Sequence, residues 1–348
     1  MGCHAAAADS RPAPSSGRLL ELPSLRMQPL VSVLVASDRV KTSLPETLRS
    51  LAAQESAPPF ELVVASAERP ETRDLAFPVV WVESPDRNPA RRRNRAAQAA
   101  RGSVLAFLDD DAAAEPSWLA SGTAALGRFD IAGGPDVAPP GAPFSERLAD
   151  LLLATPWIGS GVPAHEFAPR GGPVHSPHDI ALCNLFVRKE TFEALGGFDE
   201  SLGYIGEDTD LLRRALDSGR RAVLDPSVRV RHRRRSFPGK YLAQRWRYRV
   251  KMGRLLVERP GLHARGRVAV FLSAGFLGTA GLALMGVSFL VPAALLYAGL
   301  TLGFSFPIWR RDLALFPAVP FAFALHHLTY FVALLVGIAR GTAGAVAR

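Results

Sequence analysis

Apolar positions recur along this chain in two distinct patterns. In the first 111 residues, short β-branched runs alternate with segments of helical period. "LVSVLVAS" (30–37), "FELVVAS" (60–66), "FPVVWVES" (77–84) and "GSVLAFLDDD" (102–111) have the length and makeup of buried strands. Between them, "SLPETLRSLAAQ" (43–54) sets Leu44, Leu48 and Leu51 at helical spacing, and "PARRRNRAAQAA" (89–100) reads as a second helix. Strands alternating with helices predict an α/β domain with a mainly parallel sheet, whose ligands sit beyond the carboxyl ends of its strands.

Further on the pattern loosens. Residues 135–179 are dense in Pro and Gly and predict a long loop with one helix at 145–155, and loops of that length inside a domain tend to be functional. A strand then precedes a helix at 189–195, a turn at Gly196-Gly197, a helix at 207–218 and a strand through Val223 to Val230. From Arg267 the apolar residues pile up. Val268 to Trp309 carries no charge, about twice the roughly 20 residues that cross a bilayer, so it predicts two spans, 268–287 and 290–309. A third is expected at 313–339. Residues 1–28, rich in Ala, Pro and Ser, read as a flexible tail, 29–235 as the α/β domain, 236–266 as a basic connector and 267–348 as the membrane region.

Charge sharpens this division. The formal net charge is +9, yet Arg229 to Arg254 alone holds eleven Lys and Arg and no acid, which leaves 30 basic against 32 acidic residues elsewhere. A basic stretch beside membrane segments suits the anionic headgroups of a cytoplasmic leaflet. Nucleic acid is not the expected partner, because it would not explain the adjoining apolar runs. Arg265, Arg267, Arg310 and Arg311 flank the first hairpin, so the positive-inside rule puts the α/β domain in the cytoplasm. Arg340 and Arg348 then fall on the opposite side, against the rule. Two cysteines, Cys3 and Cys183, make no disulfide framework and fit a reducing compartment. The first residues lack the charged and apolar regions of a secretory signal, and Gly2 lacks the downstream Ser or Thr of a myristoylation site.

Candidate chemistry begins at Asp109, Asp110 and Asp111, at a strand end. Successive residues of an extended segment point to opposite sides, so Asp109 and Asp111 can cooperate while Asp110 turns away. Carboxylates in that arrangement suit Mg²⁺, which favours a few acids plus phosphate oxygens and so implies a diphosphate substrate. A solvated acidic turn is the plain alternative. Glu207, Asp208 and Asp210 open a helix after Gly206, where the helix dipole favours acids and simple capping would also explain them.

With these motifs in order, residues 29–235 resemble glycosyltransferase family 2, inverting enzymes with the nucleotide-sugar-binding GT-A fold. "VLAFLDDDAAAEPSWL" is similar to the family's DXD region, and "NLFVRKETFEALGGFDESLGYIGEDTDLLRRA" to its stretch from an acceptor-side Asn to the base-bearing Glu-Asp pair. The resemblance implies a divalent cofactor, Mg²⁺ or Mn²⁺, on Asp109 and Asp111, with His232 as a further metal ligand. It implies Asp110, Arg93 and Asn94 near the donor, Asp208 as general base and Glu207 as a positioning group. Asn184, Gly197, Phe198 and Trp246 are the acceptor-side expectation. Arg91, Arg92 and Arg95 read as solvated.

Two departures concern the donor. The first strand ends in Ala36-Ser37-Asp38-Arg39 rather than the family's longer Pro-Thr-Tyr-Asn-Arg, and the second offers Ala65 and Ser66 where the family carries base-binding aspartate. Ala36, Ser37, Asp38, Arg39 and Glu68 are therefore the donor-binding candidates, with Asp38 and Glu68 as substitutes for the missing acid. Leu242 stands where the processive signature Gln-x-x-Arg-Trp needs its first residue, which favours single-sugar transfer. Leu242, Trp246, Arg249 and Gly253 share a helical face and suggest an interfacial helix. The function implied is sugar transfer from a nucleotide diphosphate to a lipid-linked or envelope glycan at the cytoplasmic face of the membrane. An inactive scaffold of the same fold, or a phosphoryl- or nucleotidyltransferase using the same acids, are the alternatives.

Overall fold

The computed structural model describes residues 30–38, 40–72, 75–155, 165, 170–203, 205–258 and 290–346. The expected tail (1–28), the first expected span (268–287) and Arg39 lie outside them. Four strands near the start, β1 (Val31–Ser37), β2 (Phe60–Ser66), β3 (Val79–Glu83) and β4 (Val104–Leu108), run parallel in the spatial order β3-β2-β1-β4. Helix α1 (Leu44–Ala52) joins β1 to β2, and α2 (Pro89–Ala99) joins β3 to β4. Asn88 caps α2 by accepting from the backbone N–H groups of Ala90 and Arg91.

The period-2 geometry of β1 divides its side chains between two cores. Val31, Val33 and Val35 pack with Leu44, Leu48 and Leu51 of α1, while Leu34 packs with Phe107 and with Ala90 and Ala97 of α2. Both faces of the sheet are thus buried, which is why these strands read as continuous apolar runs.

The rest of the sheet mixes directions. β9 (Asn184–Arg188) runs antiparallel between β4 and β6 (Ile131–Gly133), β10 (Ala222–Leu224) pairs parallel with β6, and β8 (Gly172–Pro173) closes the edge. Helices α3 (Trp118–Ala125), α5 (Lys189–Ala194) and α6 (Glu207–Asp217) connect these pieces. The expected strand from Val223 to Val230 is in fact two. Pro226 interrupts it, lacking the N–H a ladder needs, and the chain turns where Val228 N–H donates to Asp225 O at 3.1 Å. The second piece, β11 (Val230–His232), joins a separate small sheet between β5 (Ala112–Ala114) and β7 (Asp136–Val137).

Four helices follow or flank this domain. α4 (Phe144–Leu153) lies within the Pro/Gly-rich stretch, α7 (Gly239–Glu258) carries the basic connector, and α8 (Leu290–Arg311) and α9 (Ala318–Val346) form the apolar end. By length and composition, Val291–Arg311 and Ala318–Ala343 are each long and apolar enough to cross a membrane. Leu148 and Leu152 of α4 pack on Ile308, Leu315 and Phe323, and Arg147 Nε donates to Asp312 Oδ2 at 2.7 Å. The elbow between α8 and α9 is therefore docked on the α/β domain. The expected interfacial face of α7 is divided: Arg249 and Gly253 are buried, while Trp246 is exposed.

Candidate active site

The three aspartates leave β4 in three directions, as strand alternation and the turn after Leu108 require. Asp109 Oδ1 accepts from Arg93 Nη2 of α2 at 3.1 Å, and the same guanidinium donates through Nη1 to Glu207 Oε1 of α6 at 3.0 Å. Asp110 turns the other way and accepts from Ser37 Oγ at 2.6 Å. Its loop is held by Thr47, whose hydroxyl is 3.0 Å from Asp110 O and 2.8 Å from Ala112 O. Asp111 Oδ1 lies 3.0 Å from His232 Nε2. The small sheet causes that approach, because its antiparallel register sets His232 opposite Ala112.

Behind His232 stands a buried acid that the sequence did not flag. Asp136 Oδ2 is 3.5 Å from His232 Nδ1, accepts from Arg234 Nη1 at 2.9 Å, and lies 3.3 Å from Cys183 Sγ, while Asp136 Oδ1 is 2.6 Å from His165 Nδ1. Arg234 also donates to Asp150 Oδ1 of α4 at 2.6 Å. Burial alone would raise the Asp136 carboxyl, but Arg234 and His165 hold it well below the usual range. Burial likewise opposes charge on His232, yet its bonds to Asp111 and Asp136 outweigh that and raise it well above an ordinary imidazole. The Cys183 thiol is pushed up to about 12 by burial and by Asp136, so it stays protonated and inert.

Glu207 and Asp208 open α6 directly after Gly206, whose φ of 89° sets the chain for the helix start. Burial pushes the Glu207 carboxyl up to about 7 against the pull of Arg93. Burial also raises Asp208, against the N–H of Thr209 and the Arg93 charge. Both acids line a cavity of about 470 Å³ together with Arg93, Asp109, Asp111 and His232. A second cavity of about 660 Å³ is lined by Ala36, Asp38, Arg92 and Asp110, and shares Pro89, Arg235, Gln244 and Tyr248 with the first. The two form adjoining halves of one cleft at the carboxyl edge of the sheet. Asp109, Asp111 and His232 each offer a ligand atom, all within 4.8 Å of one another. Two carboxylates and an imidazole are a donor set that suits Mg²⁺ or Mn²⁺.

Several expected site residues lie elsewhere. Asn184 is fully buried, accepting from Trp118 Nε1 at 2.8 Å and donating to Val228 O at 2.7 Å, so it ties β9 to its neighbours instead of facing an acceptor. Asn94 faces away from the cleft, donating to Phe198 O at 2.9 Å and accepting from Phe198 N–H at 2.9 Å. Phe198 is buried among Phe107 and Phe192. Gly197 (φ 72°) completes this turn, where a Cβ would meet Asn94 Oδ1 at 2.8 Å. Trp246 lines neither half of the cleft. Glu68 pairs with Lys41 at 3.2 Å on the exposed surface, and Ser66 is occupied by Trp81 Nε1 at 3.2 Å.

Other residues enter the site that no local pattern singled out. Arg92, expected to be solvated, is buried, donating to Ser37 O at 2.9 Å and to the Asp38 carboxylate. Its signal was hidden in a run of three arginines, of which Arg91 pairs with Asp86 and Glu200 on the flank. Asp136 sat alone in a Gly/Pro stretch, and only the pairing of β7 with β11 brings it to His232.

A model described as glycosyl transferase family group 2 matches residues 104–336, more than half of the chain, and one described as glycosyl transferase family 2 matches residues 32–149. The chain belongs to glycosyl transferase family 2. This family 2 chain is 30% identical over 233 residues to the O-antigen biosynthesis protein RfbC of Myxococcus xanthus, covering 60% of itself and 18% of that protein. It is 28% identical over 263 residues to the succinoglycan biosynthesis protein ExoM of Rhizobium meliloti, covering 69% and 80%. It spans only 36% of the pre-mycofactocin glycosyltransferase of Mycobacterium tuberculosis. Among solved structures, the mannosyltransferase PcManGT from Pyrobaculum calidifontis, in complex with GDP-Man and Mn²⁺, superposes with a TM-score of 0.55 at 20% identity, covering 90% of this chain and 87% of that one. That likeness shows the GT-A fold.

Proposed function

We propose that this chain transfers a single sugar, with inversion, from a nucleotide diphosphate to a lipid-linked or envelope glycan acceptor at the cytoplasmic face of a membrane. One observation carries the reading: Asp109, Asp111, His232 and Asp208, far apart in sequence, line a single cavity. Asp109, Asp111 and His232 would hold Mg²⁺ or Mn²⁺, which supplies positive charge against the departing diphosphate. Asp208 accepts the acceptor hydroxyl proton on a carboxylate oxygen as that hydroxyl attacks the anomeric carbon. The new carbon–oxygen bond forms as the bond to the diphosphate breaks, and the nucleoside diphosphate leaves. Arg93 fixes Asp109 and Glu207 relative to one another, so that donor and base sides stay in register. Ala36, Asp38 and Arg92 are the donor-side residues in the second half of the cleft. The names of the relatives, O-antigen and succinoglycan biosynthesis, support an envelope polysaccharide as the product class. The apolar C-terminal helices and the basic connector support attachment to a membrane.

The test is product analysis with a panel of nucleotide sugars and Mn²⁺. Transferred sugar with free nucleoside diphosphate, lost in Asp111→Ala and kept in the exposed control Lys41→Ala, is the expected result. Transferred phosphate or nucleotide would defeat the reading in favour of a phosphoryl- or nucleotidyltransferase. No turnover with any donor would favour the inactive scaffold.

A further inference from the structure

Helix α7 runs parallel to α9 along most of its length. Tyr241 Oη is 2.9 Å from His326 Nδ1, the Arg249 guanidinium lies 4.0 Å over the Tyr330 ring, and Gly253 abuts Gly337. The helices touch backbone to backbone, since a Cβ on Gly253 would come 2.3 Å from Leu334 O and one on Gly337 2.2 Å from Val250 O. The contact extends to Gly341, beside Arg254 and Val257. Wherever residues 326–341 of α9 go, residues 241–257 of α7 go with them.

We infer that α7 and α9 lie side by side in the plane of the membrane surface, seated on an anionic lipid leaflet, and that α9 does not cross the bilayer. Had α9 crossed, the middle of α7 would lie in hydrocarbon. That segment bears Arg247, exposed and without an acidic partner among the described residues, and exposed Arg254. It also supplies Gln244, Arg245, Tyr248 and Met252 to the walls of the active-site cleft. A charged, water-filled cleft cannot be immersed in lipid chains, where charges are expelled and polar groups go unsatisfied.

The exposed faces of the pair fit an interface instead. On α9, Phe321, Leu328, Val332 and Ala339 are exposed at intervals of seven, four and seven, one apolar stripe along the helix. On α7, Lys240, Arg247 and Arg254 are exposed at intervals of seven; Arg247 also lines the second half of the cleft, and Arg254 pairs with Glu258 at 2.8 Å. α9 thus supplies apolar area for the acyl boundary, and the run from Arg229 to Arg254, with eleven Lys and Arg and no acid, supplies charge for anionic headgroups. The elbow between α8 and α9 is anchored on α4 through Arg147 and Asp312, so α9 starts at the surface of the α/β domain and can stay there. Arg340, near the end of α9, then returns to the same side as Arg310 and Arg311, as the positive-inside rule asks.

The inference rests on the membrane attachment proposed above, and its test separates the two. The full chain carrying Cys3→Ser, with the buried Cys183 retained, takes single cysteines at Ala343→Cys and, as the domain marker, at Ser218→Cys. An impermeant maleimide is applied to right-side-out and inside-out vesicles of the expression host. Labelling of both positions in the same vesicle orientation is expected. Loss of Ala343→Cys labelling in that orientation, with labelling in the opposite one, overturns the in-plane placement and leaves membrane attachment intact. As a second measurement, spin labels at Leu328→Cys, Val332→Cys and Ala339→Cys, in vesicles of phosphatidylglycerol and phosphatidylcholine, should report one shallow depth. Depths that change steadily along the three positions overturn the inference. Recovery of the chain in the soluble fraction removes the attachment and the inference together.

Discussion

His232 Nε2 lies 3.0 Å from Asp111 Oδ1, while its Nδ1 lies 3.5 Å from Asp136 Oδ2. An imidazole held between two carboxylates has its ring plane fixed, and in the proposed metal site the outer acid would tune it as outer acids tune metal sites. The outer acid is in turn fixed by Arg234, which reaches Asp150 on α4.

Metal affinity should depend on that outer acid. Asp136→Asn, which keeps the shape but loses the charge, is expected to weaken Mn²⁺ binding roughly 10- to 100-fold. Titration of free Mn²⁺ by paramagnetic resonance checks it, and an unchanged affinity would mean that Asp136 serves folding alone.

The base should show itself in kcat and in pH. Asp208→Asn is expected to lower kcat by about 10²- to 10⁴-fold while donor binding, followed by thermal stabilisation, persists. Because burial raises the Asp208 carboxyl and pushes Glu207 up to about 7, activity should fall as pH drops through a range above that of ordinary carboxylates. An acidic limb near pH 4 would contradict this.

Away from the site, Glu61 tests the domain's pH dependence. This carboxylate is fully buried and accepts from Ser32 Oγ at 2.7 Å, from Arg101 N–H at 2.7 Å and from Arg101 Nε at 2.8 Å. Burial raises it, but these bonds together bring it below its ordinary value. A lowered carboxylate stabilises the fold above its unfolded pKa, and that stability is lost as pH falls through the folded value. Glu61→Gln should therefore cost about 1–3 kcal/mol at neutral pH. In urea unfolding, the difference from the parent should shrink under acid conditions; a difference that grows there would refute the assignment.

Gly197 tests the turn that holds Asn94. Its positive φ and the 2.8 Å approach of Asn94 Oδ1 leave no room for a methyl group. Gly197→Ala is expected to cost about 1–3 kcal/mol from the strained backbone alone. Asn94→Ala removes the clash but not the strain, so the double variant should lose less than the sum of the two single ones. Additive losses would show that the two residues do not interact.

The sequence by itself determined the local elements and the acids that end them. Short β-branched runs became β1 to β4, the Leu44–Leu48–Leu51 spacing became α1, and Asp109 to Asp111 emerged at a strand end, because these signals depend on neighbours a few residues away. Tertiary structure alone decided the partners. Asp136 meets His232 through a sheet of three short strands whose pairing spans roughly a hundred residues, and no local pattern encodes that register. Asn184 and Asn94, polar residues in suggestive motifs, turned inward because buried backbone groups of other segments needed their hydrogen bonds. The apolar C-terminus announced a preference for lipid. Its packing was set by two glycines that let a basic helix lie against it, a contact that hydropathy along one chain segment cannot register.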